Sequence, residues 1–297
     1  MRNYRGRFAP SPTGPLHFGS LVAALGSFCE ARSRGGEWLV RMEDLDRPRE
    51  APGAADAILR ALDQHGFEWS EPVMRQSGRN AAYHGALETL RTRGAVYVCA
   101  CTRREIADSS VTPGGEPVYP GTCRGGLPPG RTGRATRVRV EREPIAFDDS
   151  VMGTLTQDLE REVGDFVLLR ADGLIAYQLA VVVDDAEQGI TGVVRGADLL
   201  GSTARQIHLH RLLGLPTPGY AHLPAAVNAK GEKLSKQTHA APLDPACAAP
   251  ALVRALEFLG QSPPPALARA TVREVWQWAG ANWDLSLVPR QRTKAAS

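Results

Sequence analysis

Two short stretches of this chain hold residues suited to phosphate chemistry. The first, His17-Phe18-Gly19-Ser20, follows the loop Pro10-Ser11-Pro12-Thr13-Gly14-Pro15 and opens onto a helix-compatible run from Leu21 to Glu30. A helix mouth there offers unpaired backbone N–H groups and the positive end of the helix dipole to an anion. Gly19 lets that anion approach the backbone closely. The second stretch, Lys230-Gly231-Glu232-Lys233-Leu234-Ser235-Lys236, is a basic loop far along the chain. Taken singly, a His-x-Gly can be a plain turn and a lysine cluster a solvated one. A third group is acidic: Glu43, Asp44 and Asp46 end the apolar run Trp38-Leu39-Val40. Of the five cysteines (Cys29, Cys99, Cys101, Cys123 and Cys247), three lie close together. An odd number in that spacing points to a metal site rather than a disulfide framework. The alternative is a set of buried free thiols.

These groups need a scaffold. A short strand from Tyr4 to Ala9, the proline loop, a helix and a second strand through Trp38 make a βαβ alternation, which predicts an α/β, doubly wound parallel-sheet nucleotide-binding domain. Acids at the carboxyl end of a strand sit where such sheets bind ligands. No Gly-x-Gly-x-x-Gly and no P-loop signature is present. Helices are expected over Pro52–His65 and Arg79–Arg93, with a strand at Ala95–Val98 leading into Cys99. Alternation at Ala135–Val140 predicts a strand with Arg137 and Arg139 on an exposed face, and further strands are expected near Leu155–Leu159 and Phe166–Leu169. The first part of Tyr177–Asp185 reads as a buried helix, and Ile190–Gly196 as a strand. The domains expected are the first half of the catalytic fold at 1–96, a mainly β insertion with the metal site at 97–170, the second half at 171–242, and a short helical C-terminal region at 243–297. There Trp276, Trp278 and Trp283 suit packing of a small bundle, and Arg290, Arg292 and Lys294 suit a frayed, solvated end.

Composition narrows the class. The chain has 297 residues, 43% of them hydrophobic and 23% charged, with a formal charge of +3, all ordinary for a globular protein with a substantial core. So mild a charge permits contact with nucleic acid without arguing for it. No apolar run approaches a membrane span and the basic N-terminus lacks a signal-peptide core, so a cytoplasmic protein without membrane contact is expected. A monomer is the expected state.

Together, His17-Phe18-Gly19-Ser20 and Lys233-Leu234-Ser235-Lys236-Gln237 resemble the paired HIGH and KMSKS signatures of class I aminoacyl-tRNA synthetases. Arg7-Phe8-Ala9-Pro10-Ser11-Pro12-Thr13-Gly14 and Val194-Arg195-Gly196-Ala197-Asp198 resemble the glutamate-specific branch. The similarity runs from about residue 5 to residue 240, with only about sixty residues beyond it, where glutamyl-tRNA synthetases carry a long anticodon-reading portion. That shortness and the Cys-x-Cys…Tyr-x3-Cys pattern are similar to the glutamyl-Q tRNA(Asp) synthetases. The resemblance implies a Rossmann-like class I fold and a ligase. Such an enzyme makes glutamyl-adenylate from glutamate and ATP, with Mg2+, without tRNA, and passes glutamate to queuosine in the anticodon loop of tRNA(Asp).

That chemistry brings two anions together, so positive charge is required at the transition state. His17, Lys233 and Lys236 are the candidate catalytic residues, with His17, Gly19, Ser20 and Lys236 on ATP. The resemblance places Arg7, Phe8, Ala9, Pro10, Ser11, Glu43, Tyr177 and Arg195 around glutamate. Arg7 and Arg195 suit carboxylate. Glu43 suits the ammonium group, although Asp44 or Asp46 could serve by composition alone. Cys99, Cys101 and Cys123 suit a structural Zn2+, which takes four ligands. No histidine lies between residues 84 and 208, and position 125 is Gly, so a Cys-x-His completion fails. The glutamyl-Q pattern supplies Tyr119 instead, with Glu116 or water as alternatives. Rival functions are a short glutamyl-tRNA synthetase charging a tRNA 3′ end and a non-catalytic tRNA-binding paralogue.

Overall fold

A computed structural model describes residues 3–107, 117–234 and 240–296. The first half runs β1 (Arg5–Phe8), α1 (Phe18–Ser33), β2 (Glu37–Met42), α2 (Ala54–Gln64), β3 (Met74–Arg75) and α3 (Asn80–Thr92). The middle holds β4 (Val96–Cys99), α4 (Arg103–Ala107), β5 (Ala135–Val138), β6 (Ile145–Asp149), β7 (Gly153–Gln157), α5 (Leu159–Glu162) and β8 (Val167–Leu169). Then follow α6 (Tyr177–Glu187), β9 (Gly192–Gly196), α7 (Thr203–Leu213), β10 (Gly219–Leu223), β11 (Ala225–Val227), α8 (Ala248–Phe258), α9 (Val272–Asn282) and β12 (Thr293–Ala295).

The expected doubly wound sheet is present. β1, β2 and β3 pair in parallel, with Arg7 opposite Leu39. β9 and β10 also pair in parallel, with Arg195 opposite His222. The two halves meet where Thr191 N donates to Arg5 O at 2.9 Å, just before β9. Strand β2 shows why both faces are covered. Its Trp38, Val40 and Met42 point into one core with α1, α2, α8 and α9, while Leu39 points into another with α3, α6 and α7. Helix α1 is buried on nearly every side. A Cβ at Gly26 would come within 2.4 Å of Leu223 on β10, so the bare backbone lets helix and strand close together.

Four sequence expectations need correction. The middle segment is not one β unit: β4, β5 and β8 form an antiparallel sheet, whereas β6 meets β10 in parallel at Asp149–Tyr220 and carries β7 to the edge of the main sheet. The strand expected near Leu155–Leu159 stops at Gln157, because Asp158 caps α5 by accepting from Arg161 N. Arg137 is buried rather than exposed, since the loop carrying Tyr119 covers that face; its guanidinium lies 3.8 Å from the Tyr119 ring centroid and Nη1 donates to Asp165 O. Half-buried Arg139 lies over the Tyr97 ring.

The C-terminal segment packs against α1. Trp276 joins Phe28, Trp38 and Phe67 in an aromatic cluster with centroids 4.8–5.5 Å apart, and Trp283 Nε1 donates to Glu30. The basic tail is docked, not frayed. Lys294 sits in β12, paired in parallel with β11, and its Nζ donates to Phe258 O, while Arg290 Nε donates to Met152 O.

Candidate active site and cysteine cluster

A cleft of about 690 Å³ opens at the carboxyl ends of β1, β2 and β9, where the two halves of the sheet diverge. Arg7, Phe8, Ala9, Pro10, Ser11, His17, Gly19, Ser20, Glu43, Tyr177, Arg195 and Lys233 all line it. Lys236, Ser235 and Gln237 lie outside the described residues, as does Glu116. His17 is the N-cap of α1, and the segment returning from the basic loop holds it in place, with Leu243 N donating to Leu16 O. A Cβ on Gly19 would meet the His17 ring at 3.2 Å and Leu234 O at 3.6 Å, so the basic loop rests directly on the helix mouth. Lys233 Nζ pairs with Asp198 at 2.6 Å, beside the cleft.

The three acids after β2 have different surroundings. Asp44 accepts from Ser77 N and Ser77 Oγ, both at 2.8 Å, and does not line the cleft. Asp46 is engaged by Arg49 and Arg170. Glu43 faces the cleft with Arg41 Nη2 at 3.8 Å. Burial pushes its carboxyl up to about 7 against the pull of Arg41 and Arg7. Such a group changes charge near neutral pH.

The two arginines singled out by type also differ. Arg7 donates through Nε (3.0 Å) and Nη2 (3.2 Å) to Asp185, which also accepts from Arg41 Nη2 at 2.6 Å. Burial alone would raise the Asp185 carboxyl, but Arg7 and Arg41 hold it down at about 2. Its neighbour Asp184 accepts from Gln76, Arg79 and Tyr83. Arg7 is thus a neutralised cation, fixed by α6.

Arg195 has no such carboxylate. Nε donates to His222 Nε2 at 3.0 Å, Nη1 to Gln206 Oε1 at 2.8 Å, and Nη2 to Thr203 Oγ1 at 2.9 Å and to Leu199 O at 3.4 Å. All these acceptors are uncharged, and one of its five N–H groups is left over. A buried guanidinium on a cleft wall, contacted only by neutral groups, is chemically suited to take an anion from solution. Tyr177, the first residue of α6, lines the same wall, and burial raises its hydroxyl's pKa.

Sequence reasoning missed Asp185, Arg41, Asp149, His222 and Gln206. The Asp184–Asp185 pair is visible as acids ending an apolar run, but its partners on β1 and β2 are not.

The cysteines lie apart from the cleft. Cys99 ends β4, and its Sγ and those of Cys101 and Cys123 all lie within 4.8 Å of one another. Tyr119 Oη accepts from Cys123 N at 2.9 Å and lies 3.4 Å from Cys99 Sγ and 4.0 Å from Cys101 Sγ; Cys101 and Cys123 Sγ are 3.7 Å apart. Tetrahedral bonds of about 2.3 Å to sulfur place ligand sulfurs roughly 3.8 Å apart. The three thiols and the phenol therefore fit one zinc ion.

Residues 3–245 match the family model described as tRNA synthetases class I (E and Q), catalytic domain. The glutamate-tRNA synthetase of Elizabethkingia anophelis superposes with a TM-score of 0.80 at 26% identity, over 99% of this chain and 68% of that one. A glutamate tRNA ligase of Elizabethkingia meningosepticum, solved in complex with its amino acid, superposes at 0.79 and 26% identity, over 100% and 67%. Fold and cleft thus define a class I synthetase catalytic domain. Among curated relatives, the glutamyl-Q tRNA(Asp) synthetase of Dechloromonas aromatica is 63% identical over 290 residues, which is 97% of this chain and 96% of the relative. That of Chromobacterium violaceum is 58% identical over 286 residues, 96% and 95% of the two chains. The chain belongs to the glutamyl-Q tRNA(Asp) synthetase family of class I synthetases, the class its paired signatures resemble and the family its shortness and cysteine pattern resemble.

Proposed function

We propose that this protein is a ligase that activates glutamate with ATP, without tRNA, and transfers it to the queuosine base of tRNA(Asp). The observation that carries the glutamate reading is Arg195, the buried cation whose contacts are all neutral. In this reading the side-chain carboxylate of glutamate meets Arg195, the ammonium group meets ionised Glu43, and Tyr177 and the wall from Arg7 to Ser11 complete the pocket. The α-carboxylate is then directed toward the mouth of α1, where His17 and the backbone of Gly19 and Ser20 receive the phosphates of ATP, with Mg2+ as counter-ion. One carboxylate oxygen attacks the α-phosphorus and pyrophosphate leaves. Lys233 and Lys236 neutralise the charge that accumulates there. A hydroxyl of the queuosine diol then attacks the adenylate carbonyl carbon and AMP leaves.

Cys99, Cys101, Tyr119 and Cys123 would hold Zn2+, which supplies a structural cross-link between β4 and the loop of Tyr119. Among the described residues every cysteine is unpaired, which suits a reducing cytoplasm, and no helix is long and apolar enough to cross a membrane. Large exposed apolar side chains are limited, among the described residues, to Val98 and Leu127, which flank Gly133 together, and Leu287, a small apolar surface in keeping with a monomer.

The test is pyrophosphate exchange. Glutamate-dependent ATP–pyrophosphate exchange without tRNA is expected, and its absence from metal-replete protein would overturn the activation step. Transfer of labelled glutamate to tRNA(Asp) bearing queuosine, and none to the same tRNA lacking it, is expected of the second step. Equal charging of both at the 3′ end would establish ordinary aminoacylation instead.

A further inference from the structure

Behind Arg195 lies a buried chain of side chains that the reaction itself does not touch. His222, on the neighbouring strand β10, is fully buried, and its Nδ1 is 2.6 Å from Asp149 Oδ2 at the end of β6. Asp149 Oδ1 accepts from Val151 N, Met152 N and His222 N. On the other side Gln206 Nε2 donates to Gln178 Oε1, and Gln178 Nε2 donates to Ser202 Oγ.

Hydrogen-bond logic sets every direction in this chain. A guanidinium only donates, so His222 Nε2 must be bare and its proton must sit on Nδ1, facing Asp149. Gln206 must likewise turn its oxygen to Arg195 and its amide nitrogen to Gln178. Burial lowers the imidazole's pKa, keeping His222 neutral, in agreement with that tautomer. Burial alone would raise the Asp149 carboxyl, but the bond from His222 and the backbone donors hold it below the usual carboxylate range. The negative charge of Asp149 thereby reaches Arg195 through a neutral ring. It helps offset the cost of burying the guanidinium without touching it, while Arg195 lines the cleft with one N–H unused.

We propose that Asp149 and His222 are positioning residues for Arg195, holding its guanidinium at the angle that receives the side-chain carboxylate of the amino acid. This inference rests on the glutamate-activation reading. An imidazole locked in one tautomer on a sheet strand is a rigid stop, and a carboxylate placed directly on Arg195 would instead compete with the substrate. The arrangement therefore favours glutamate selection over simple stability of the core.

The experiment is steady-state pyrophosphate exchange in His222→Ala, His222→Gln, His222→Asn and Asp149→Asn, with KM for glutamate and for ATP measured separately and thermal melting recorded. His222→Ala is expected to raise the glutamate KM tenfold or more and leave the ATP KM within twofold. His222→Gln carries an oxygen at the reach of Nε2 and is expected to restore most of the loss, whereas His222→Asn reaches only Asp149 and is not. Asp149→Asn keeps the shape, but its amide group turns the ring to the other tautomer, setting a donor against Arg195 Nε. The glutamate KM should rise there too, as in His222→Ala. An unchanged glutamate KM in His222→Ala, or Gln and Asn variants that behave alike, would overturn the positioning role while wild-type exchange stands. Absence of exchange in the wild type would overturn the activation reading and the positioning role with it. If His222→Ala does not fold, the Gln-against-Asn contrast and Asp149→Asn decide the matter.

Discussion

Replacing Asp185 by asparagine tests the charge arrangement under the cleft. Its carboxylate accepts Arg7 Nε at 3.0 Å, Arg7 Nη2 at 3.2 Å and Arg41 Nη2 at 2.6 Å, and the Arg41 side chain is fully buried. An amide keeps one acceptor and turns an NH2 group toward a guanidinium, so Arg7 loses its paired carboxylate and Arg41 keeps only the more distant Glu43 at 3.8 Å and Asp184 at 4.0 Å. Breaking one side of a buried ion pair costs about 3–5 kcal/mol. The acidity of the buried carboxyl sets a second magnitude. The carboxyl is held at about 2 in the folded protein against 3.8 ordinarily. That depression corresponds to roughly 2–3 kcal/mol of stability. Because the folded value is the lower one, this stabilisation is complete above about pH 4 and is lost as pH falls through 2. Urea unfolding of both proteins should show a deficit of at least about 3 kcal/mol near neutral pH, narrowing as the pH is taken from 4 toward 2. A deficit below about 1 kcal/mol, or one independent of pH across that window, would refute the assignment of Asp185 as the shared counter-ion.

Three further outcomes follow from other parts of the molecule. Glu43 is held at about 7 against an ordinary 4.5, so kcat/KM for glutamate should rise with pH and level off above about 7, and Glu43→Gln should lose that limb in a pH–rate series. The raised value means this group's contribution to stability is full below 4.5 and lost as pH rises through about 7, a slope that unfolding of Glu43→Gln should lack. Elemental analysis should find one zinc per chain, lost in Cys99→Ser and weakened in Tyr119→Phe, and chelation should lower the melting temperature. Deleting residues 290–297 removes β12 and the bonds from Arg290 and Lys294, which should cost roughly 2–4 kcal/mol by denaturant unfolding.

What could be read from the chain was local. The proline loop, the helix after it and the acids after Trp38 are short-range patterns, and their order along the chain already placed His17 and Glu43 at one end of a parallel sheet. Lys233 was legible only as the partner of His17, two weak signals made stronger by each other. The arrangement of charges was not legible, because it depends on pairs such as Arg7 with Asp185 and Arg195 with His222 that only the closed sheet brings together. Composition left Glu43, Asp44 and Asp46 equivalent, whereas Ser77 and Arg170, contributed by later segments, leave only Glu43 facing the cleft without a close partner. Arg137 and the tail depart from expectation for a similar reason: sequence pattern alone predicts a charged residue to be solvated, and each of these has a partner in a remote segment.

Strand β11 ties two remote parts of the chain together. Its Val227 bridges Lys233 on one side and pairs with Ala295 on the other, so the footing of the basic loop is a strand held between its own return and residues 293–295. Whatever loosens β12 therefore loosens the strand against which Lys233 rests, and the steadiness of that wall of the cleft is set by a pairing made far along the chain.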